Sequence, residues 1–189
     1  MMPPPAIKFK CQSFSQEWLP LVKLQKKLSV RYGEEENGYF KGVSYYSVTR
    51  DVQQVIFDSV PKVCRHMFDE VFIMVINREH VPPHIDSNAL ATINFYVKTA
   101  GQSVTTFYTE TAPSEKIKIP NQTDGYMLDP SNLVETFSFC AKEDEAWLLN
   151  IKSPHSVQCE KGLRVAFTLQ SFRHSYEEIV KTLEHSLVI

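Results

Sequence analysis

The stretch "VPPHIDSNALATINFYV", residues 81–97, decides the fold and raises the question of function. It places His84 and Asp86 one residue apart, just before a run rich in β-branched and aromatic residues. Alternate residues of a strand share one face of the sheet, so these two side chains would point the same way. Such a pair is either part of a metal site or an ordinary polar pair at the rim of a strand. A third metal ligand elsewhere in the chain would favour the metal site.

The composition is that of a protein of ordinary domain size. The chain has 189 residues, of which 43% are hydrophobic, and a formal net charge of −2. That charge lacks the basic excess typical of proteins that bind nucleic-acid backbones. The four cysteines have no C-x-x-C spacing, so we expect free thiols in a reducing compartment. With no apolar leader in "MMPPPAIKFKC" and no transmembrane run, the sequence predicts a soluble, cytoplasmic protein that does not bind membranes.

Residues 1–70 carry the spacing of amphipathic helices. Leu21, Leu24 and Leu28 recur at steps of three and four, which predicts a helix after Pro20. A second helical pattern covers residues 51–68, and a proline in its middle, at position 61, is expected to kink or split it.

From residue 71 the pattern changes to short apolar and alternating runs, which predict seven or eight strands. The polar stretch within residues 110–132 is predicted to be an insertion loop. "SYEEIVKTLEHSL" predicts a C-terminal helix that begins with a capping box from Ser175 to Glu178. We therefore expect a single, mainly β domain: a helical part (1–70), a jelly-roll core (71–172) and a helix (174–186).

A third metal ligand is available at His155, in "KSPHSVQC", just after the strand-like "EAWLLNI". Two histidines and one carboxylate make a facial triad with open coordination positions, which is typical of non-haem Fe(II) oxygenases. Arg164 follows nine residues later. In the strand predicted there, Arg164 shares one face with Ala166 and Thr168. An arginine beside small and hydroxyl side chains suits a pocket that binds a carboxylate.

His84, Asp86, His155 and Arg164, in this order and spacing, resemble the Fe(II)- and 2-oxoglutarate-dependent dioxygenases. The resemblance covers roughly residues 71–172 and is closest to compact prolyl-4-hydroxylase-like members, whose core is a double-stranded β-helix. It implies that the first three residues hold Fe(II) as catalytic metal ligands and that Arg164 binds the distal carboxylate of 2-oxoglutarate. It also implies O2 as co-reactant, succinate and carbon dioxide as products, and ascorbate as an optional cofactor.

Relatives in this family also use Asn, Thr or Tyr side chains of the core strands to contact 2-oxoglutarate. The resemblance thus implies Asn94, Tyr108 and Thr168 as further contacts. The alternative is that these residues form a structural polar face of the sheet.

The substrate is expected to depend on the loop at 110–132 and on the acidic segment 33–41. The resemblance favours a peptidyl, prolyl-type hydroxylase, with a peptide or a small molecule as partner; the oligomeric state is left open. A nucleobase, nucleotide or small-molecule oxygenase of the same family is a less favoured alternative, and a non-catalytic jelly-roll binding module is a third. The nucleobase alternative would gain support if four basic residues lined one groove: Arg78, Lys98, Lys116 and Lys118.

Overall fold

The strands of the chain form two antiparallel sheets that pack face to face. The computed structural model describes residues 3–9, 11–29, 31–32, 42–87, 89–118 and 125–185. The strands are β1 (Ala6–Phe9), β2 (Arg31–Tyr32), β3 (Val43–Ser47), β4 (Glu70–Ile76), β5 (His80–Asp86), β6 (Ala91–Thr99), β7 (Ser103–Glu110), β8 (Ile117–Lys118), β9 (Gly125–Met127), β10 (Leu133–Cys140), β11 (Glu145–Leu149), β12 (His155–Cys159) and β13 (Arg164–Ser171). The helices are α1 (Ser15–Leu28), α2 (Arg50–Asp58) and α3 (Tyr176–His185).

The larger sheet has the strand order β1-β11-β6-β13-β4-β3-β2, and the smaller has the order β10-β7-β12-β5-β9-β8. Every described strand pairing is antiparallel. The predicted jelly-roll architecture is thus confirmed, although residues 71–172 contribute ten strands rather than seven or eight.

The central strands β6 and β13 separate two hydrophobic clusters. Phe95 and Phe167 pack on the helical side of the larger sheet, whereas Tyr96 and Ala166 pack between the two sheets. This is the alternation predicted from the sequence, since neighbouring residues of a strand point to opposite faces. The polar residues of these strands therefore face the smaller sheet.

Helix α1 begins earlier and buries a different face than predicted. It starts at Ser15, and Pro20 lies inside it. The helix buries Trp18 and Val22, whereas Leu24 and Leu28, two of the leucines whose spacing predicts the helix, are 51% and 65% exposed. The leucine spacing alone does not show which face of the helix is buried, because Trp18 lies before Pro20, and the helix is predicted to begin after Pro20.

The first turn of α1 is held by a distant carboxylate. Asp144, in the turn before β11, accepts hydrogen bonds from the backbone N–H groups of Phe14 and Ser15, each at 2.6 Å. Burial raises the pKa of Asp144, but the hydrogen bonds from Ser15 and Phe14 outweigh this effect and hold the pKa below its usual value. A negative charge at a helix N-terminus is also stabilised by the helix dipole.

The prediction that residues 1–70 are only helical is wrong. β1 pairs with β11 and β3 pairs with β4, so this region supplies both edges of the larger sheet. These strands are short and were hidden among polar residues and prolines. The acidic segment 33–41 lies outside the described residues.

The other helical predictions hold. α2 ends at Asp58, and a 3₁₀ turn at Arg65–Met67 follows, so the pattern is split around Pro61 as expected. α3 lies within the predicted range, and its capping box is formed: Ser175 N–H donates to Glu178 at 2.8 Å, and Glu178 N–H donates to Ser175 Oγ at 3.3 Å.

The segment 110–132 is not simply an insertion loop. β8 and β9 arise from it, and β9 pairs with β5. In that pairing Met127 lies opposite His84 and Gly125 lies opposite Asp86. The polar composition concealed these strands because they are only two and three residues long.

Two compositional predictions concern the cysteines and the membrane. Cys11, Cys64, Cys140 and Cys159 are all free, as predicted. Among the helices of the described residues, none has the length and apolar character needed to cross a bilayer.

Candidate metal centre

The two histidines and the aspartate meet at the junction of β5 and β12. His84 and His155 are cross-strand partners in the antiparallel pairing of these strands. His84 Nε2 lies 3.8 Å from Asp86 Oδ1, and His155 Nε2 lies 3.9 Å from Asp86 Oδ2. One ligand atom from each residue falls within 4.8 Å of the others. The structure therefore brings the predicted triad together.

Backbone carbonyls orient both imidazole rings. His84 Nδ1 lies 2.8 Å from the Pro82 carbonyl oxygen, and His155 Nδ1 lies 3.0 Å from that of Ser153. A carbonyl oxygen only accepts, so in each pair Nδ1 must donate. In the neutral ring this leaves the lone pair on Nε2, the nitrogen directed towards Asp86. Metal-binding histidines are commonly fixed in this way.

His155 is held in its neutral form. Burial lowers its pKa to about 3, and the proximity of His84 and Arg164 adds to this, while the hydrogen bond to Ser153 opposes it. A metal ion binds the neutral imidazole, so His155 requires no deprotonation near neutral pH.

A cavity of about 80 Å³ lies between the two sheets and contains the triad. Its other lining is divided between apolar side chains and a group of polar side chains from β6, β7 and β13. That polar group comprises Thr92, Asn94, Thr105, Arg164, Thr168 and Gln170. The structure thus places Arg164, Asn94 and Thr168 beside the triad, as predicted.

Arg164 is buried, with a relative exposure of 1%. Its Nη1 donates to Thr105 Oγ1 at 2.8 Å, and its Nη2 donates to the Tyr96 hydroxyl. Its Nε is buried without a hydrogen-bond partner, and no carboxylate of the described residues lies within ion-pair distance of it. A buried charge without a counter-charge is costly unless a ligand supplies one.

Asn94 and Thr168 bond to each other across β6 and β13. Thr168 Oγ1 donates to Asn94 Oδ1 at 2.9 Å, and Asn94 Nδ2 donates to the Tyr96 hydroxyl at 3.4 Å. Their contact with 2-oxoglutarate stays a prediction.

Tyr108 requires a correction. Its hydroxyl hydrogen-bonds with Ser156 Oγ at 2.9 Å, and it does not line the cavity. On β7, Thr105 and Phe107 occupy the positions that alternate with Tyr108, and both of their side chains are buried in the core. Thr105 is therefore the β7 residue that reaches Arg164. The sequence does not reveal this, because Thr105 and Thr106 are adjacent and equally polar.

The four basic residues named for the nucleobase alternative do not line the cavity. Lys98 lies on β6 of the larger sheet, whereas Lys118 lies on β8 at the edge of the smaller one, and both are exposed. The structure therefore gives no support for a basic groove at the triad.

No family model and no curated protein matches the chain. Solved structures do. SnoN, a non-haem alpha-ketoglutarate-dependent epimerase from nogalamycin biosynthesis, matches with a TM-score of 0.59 at 9% identity, over 89% of this chain and 76% of SnoN. A Pseudomonas putida prolyl-4-hydroxylase matches with a TM-score of 0.55 at 8% identity, over 90% and 94%.

A third match is a Trichoplax adhaerens prolyl hydroxylase in complex with a peptide fragment of the hypoxia inducible factor oxygen degradation domain. Its TM-score is 0.50 at 15% identity, over 96% of this chain and 87% of that one. At these identities the likeness concerns the fold. The predicted double-stranded β-helix is confirmed.

Proposed function

We propose that this protein is an Fe(II)- and 2-oxoglutarate-dependent dioxygenase that hydroxylates a C–H bond of its substrate. The observation that carries the proposal is the union, in one cavity, of a two-histidine, one-carboxylate triad with a buried arginine that has no counter-charge among the described residues. The triad is a suitable cation site, and the arginine is a suitable anion site. Iron with a dicarboxylate cosubstrate satisfies both requirements.

The residues of the triad fit Fe(II). Imidazole nitrogen and carboxylate oxygen are the donor set of non-haem Fe(II) sites with open positions for other ligands. The fixed Nδ1–carbonyl hydrogen bonds direct both Nε2 atoms to the same point as the carboxylate of Asp86. Bound iron and 2-oxoglutarate would supply the oxidising chemistry with O2, with succinate and carbon dioxide as products.

Arg164 would hold the distal carboxylate of 2-oxoglutarate. Its unpartnered Nε offers a donor on an edge of the guanidinium, where a carboxylate can bind in a bidentate manner. Thr105 and Tyr96 fix the plane of the guanidinium from within the protein. Because Arg164 is fully buried, water does not compete for this carboxylate.

Our proposal for the substrate is a peptidyl, prolyl-type residue. Two solved prolyl hydroxylases share the fold, and one of them is in complex with a peptide. A small-molecule substrate is the second candidate, because SnoN, seen in another structure with Fe3+, alpha ketoglutarate and nogalamycin RO, has the same fold. The free cysteines favour a reducing, cytoplasmic location for either activity.

The oxygenase proposal is tested with the purified protein under anaerobic conditions. Addition of Fe(II) and 2-oxoglutarate together should give the visible charge-transfer band of the chelate, whereas either component alone should not. Admission of air should then produce succinate. Absence of both the band and succinate would instead identify a non-catalytic jelly-roll binding module.

The substrate class is tested by succinate formation above the uncoupled background. A library of proline-containing peptides should raise the rate, with a mass increase of one oxygen atom in the peptide. If only aromatic or polyketide-like small molecules raise it, the second candidate is correct.

A further inference from the structure

The turn between β11 and β12, residues 150–153, contacts two residues of the candidate metal site, His155 and Asp86. The Ser153 carbonyl orients His155, as described above. The Ile151 carbonyl accepts a hydrogen bond of 3.2 Å from the backbone N–H of Asp86. Between these two residues, Lys152 sends its side chain to the same strand end: its Nζ donates to the carbonyl of Asp86 at 3.0 Å and to that of Ser87 at 2.7 Å.

We propose that Lys152 is a positioning residue for the metal site, which fixes the backbone that carries the Asp86 carboxylate. This inference rests on the proposed function, because it assumes that Asp86 is a metal ligand. Lys152 itself does not need to touch the metal or the substrate.

Asp86 needs such support more than the histidines do. Its side chain is 32% exposed, whereas those of His84 and His155 are 9% and 8% exposed. β5 ends at Asp86, so the sheet holds the chain before this residue but not after it. The turn supplies the other side, with one hydrogen bond to the peptide N–H of Asp86 and another to its carbonyl. Fixing both peptide groups fixes the direction of the Cα–Cβ bond.

The turn is itself anchored, so it can transmit this restraint. The Lys152 backbone N–H donates to Asn150 Oδ1 at 3.2 Å. The Asn150 backbone N–H donates to the Pro5 carbonyl at 2.8 Å, and Asn150 Nδ2 donates to Glu177 Oε1 at 3.2 Å. Residues that lie far apart in the sequence therefore hold the base of the Lys152 side chain.

The positive charge of Lys152, taken alone, should lower the affinity of the site for a metal ion. An ammonium group near a metal site repels a divalent cation, so a purely electrostatic role would make the loss of Lys152 strengthen metal binding. The double hydrogen bond to the strand end predicts the reverse. The sign of the change in metal affinity thus distinguishes positioning from simple charge.

The test compares Lys152→Met, Lys152→Gln and Lys152→Arg with the wild-type protein. Co(II) serves as a spectroscopic probe in place of Fe(II), and its affinity and visible d–d bands are measured anaerobically. Lys152→Met should bind Co(II) about 10–100-fold more weakly, the usual cost of losing a partner that orients a metal ligand, with altered d–d bands. Lys152→Arg, which can donate to both carbonyls, should restore the wild-type bands, and Lys152→Gln should restore them in part.

The matched control is Lys161→Met, which removes an exposed lysine of the next turn that has no side-chain partner among the described residues. It should leave the Co(II) affinity and bands unchanged. Thermal unfolding of each metal-free variant shows whether a loss of affinity comes from general unfolding; Gln and Arg variants that fold normally keep the comparison valid if Lys152→Met does not.

Unchanged or tighter Co(II) binding in Lys152→Met, with wild-type bands, would overturn the positioning role. That result would leave the oxygenase proposal intact, because the wild-type chelate band and succinate formation test it separately. Failure of the wild-type protein to bind Co(II) or Fe(II) at all would overturn both.

Discussion

His84 and His155 are direct partners across one antiparallel strand pair, with their ring centroids 4.3 Å apart. A slip of one residue in this pairing would turn one ring to the opposite face of the sheet. The register of β12 against β5 shifts immediately after His155, between His155 and Val157. Such irregularities are frequent beside active sites, where they aim a side chain. The geometry of the candidate metal centre therefore depends on strand register as much as on residue identity.

Loss of either histidine should abolish tight metal binding. We expect His84→Ala and His155→Ala to bind Fe(II) more than about 100-fold more weakly, because removal of a ligand exceeds the 10–100-fold cost of removing an outer partner. His80→Ala is the matched control, since His80 is an exposed residue of the same strand. Anaerobic titration calorimetry measures the affinities. Equal weakening by all three substitutions would show that the effect is not specific to the triad.

Replacement of Arg164 by methionine should separate binding from stability. The affinity for 2-oxoglutarate should fall by about 100-fold or more, because the carboxylate loses its buried partner. The metal-free, ligand-free protein should lose less than about 1 kcal/mol of unfolding free energy, since an uncompensated buried charge is removed with the hydrogen bonds. Urea unfolding with and without 2-oxoglutarate measures both effects.

Arg164→Lys should not restore 2-oxoglutarate binding, because an ammonium group cannot reproduce the planar fork of a guanidinium. A strongly destabilised Arg164→Met protein would instead indicate that Arg164 is a structural residue.

Trp18 should be a main contributor to the stability of the helical layer. Its ring packs against those of Phe14, Phe95 and Phe167 at centroid distances of 4.5, 5.5 and 5.6 Å. Trp18→Ala should lower the unfolding free energy by about 3–5 kcal/mol. Leu24→Ala, on the exposed side of the same helix, should change it by less than about 0.5 kcal/mol. Chemical denaturation of the pair measures the difference, and similar losses would contradict the observed orientation of α1.

The cap of α1 should make stability depend on pH. Asp144 has a φ of 65°, a conformation that glycine adopts without strain, so Asp144→Gly removes the carboxylate without distorting the turn. At pH 7 this variant should lose about 1–2 kcal/mol of unfolding free energy. Because the pKa of Asp144 is lowered on folding, its contribution is present above the unfolded value of 3.8 and is lost as the pH falls below it.

Urea unfolding at pH 7 and pH 3 tests this prediction. The difference between the wild-type protein and Asp144→Gly should shrink at pH 3, where the carboxylate is increasingly protonated. A difference that is the same at both pH values would mean that the charge of Asp144 does not act in the cap.

The sequence predicted which residues meet at the candidate site better than it predicted the elements around it. The triad and Arg164 were found because their chemistry requires particular residue types at alternate or fixed positions, and such types leave few alternatives. The inward face of β6 and β13 was also predicted, because polar and apolar residues alternate strictly there. On β7 the neighbouring Thr105 and Thr106 are both polar, so the sequence does not show which of them faces the cavity. The prediction named Tyr108, whereas the structure places Thr105 there.

The missed elements are those whose stability comes from tertiary contacts. β8 and β9 are too short for any sequence pattern; β9 pairs with β5, and β8 pairs with β9 in turn. The N-terminus of α1 is held by a carboxylate more than a hundred residues away, that of Asp144. The role of Lys152 was likewise hidden, since nothing local marks a lysine that binds the carbonyls of a distant strand.

Asn150 hydrogen-bonds to residues near both ends of the described chain, Pro5 and Glu177. Contacts between residues distant in sequence form slowly, because the entropy of loop closure must be lost before they stabilise the fold. A nascent chain that has not reached Glu177 already contains the three proposed metal ligands but lacks one anchor of the turn that contacts two of them. For the proposed oxygenase, we therefore expect tight metal binding late in synthesis, so that uptake of iron would mark a chain that has finished folding.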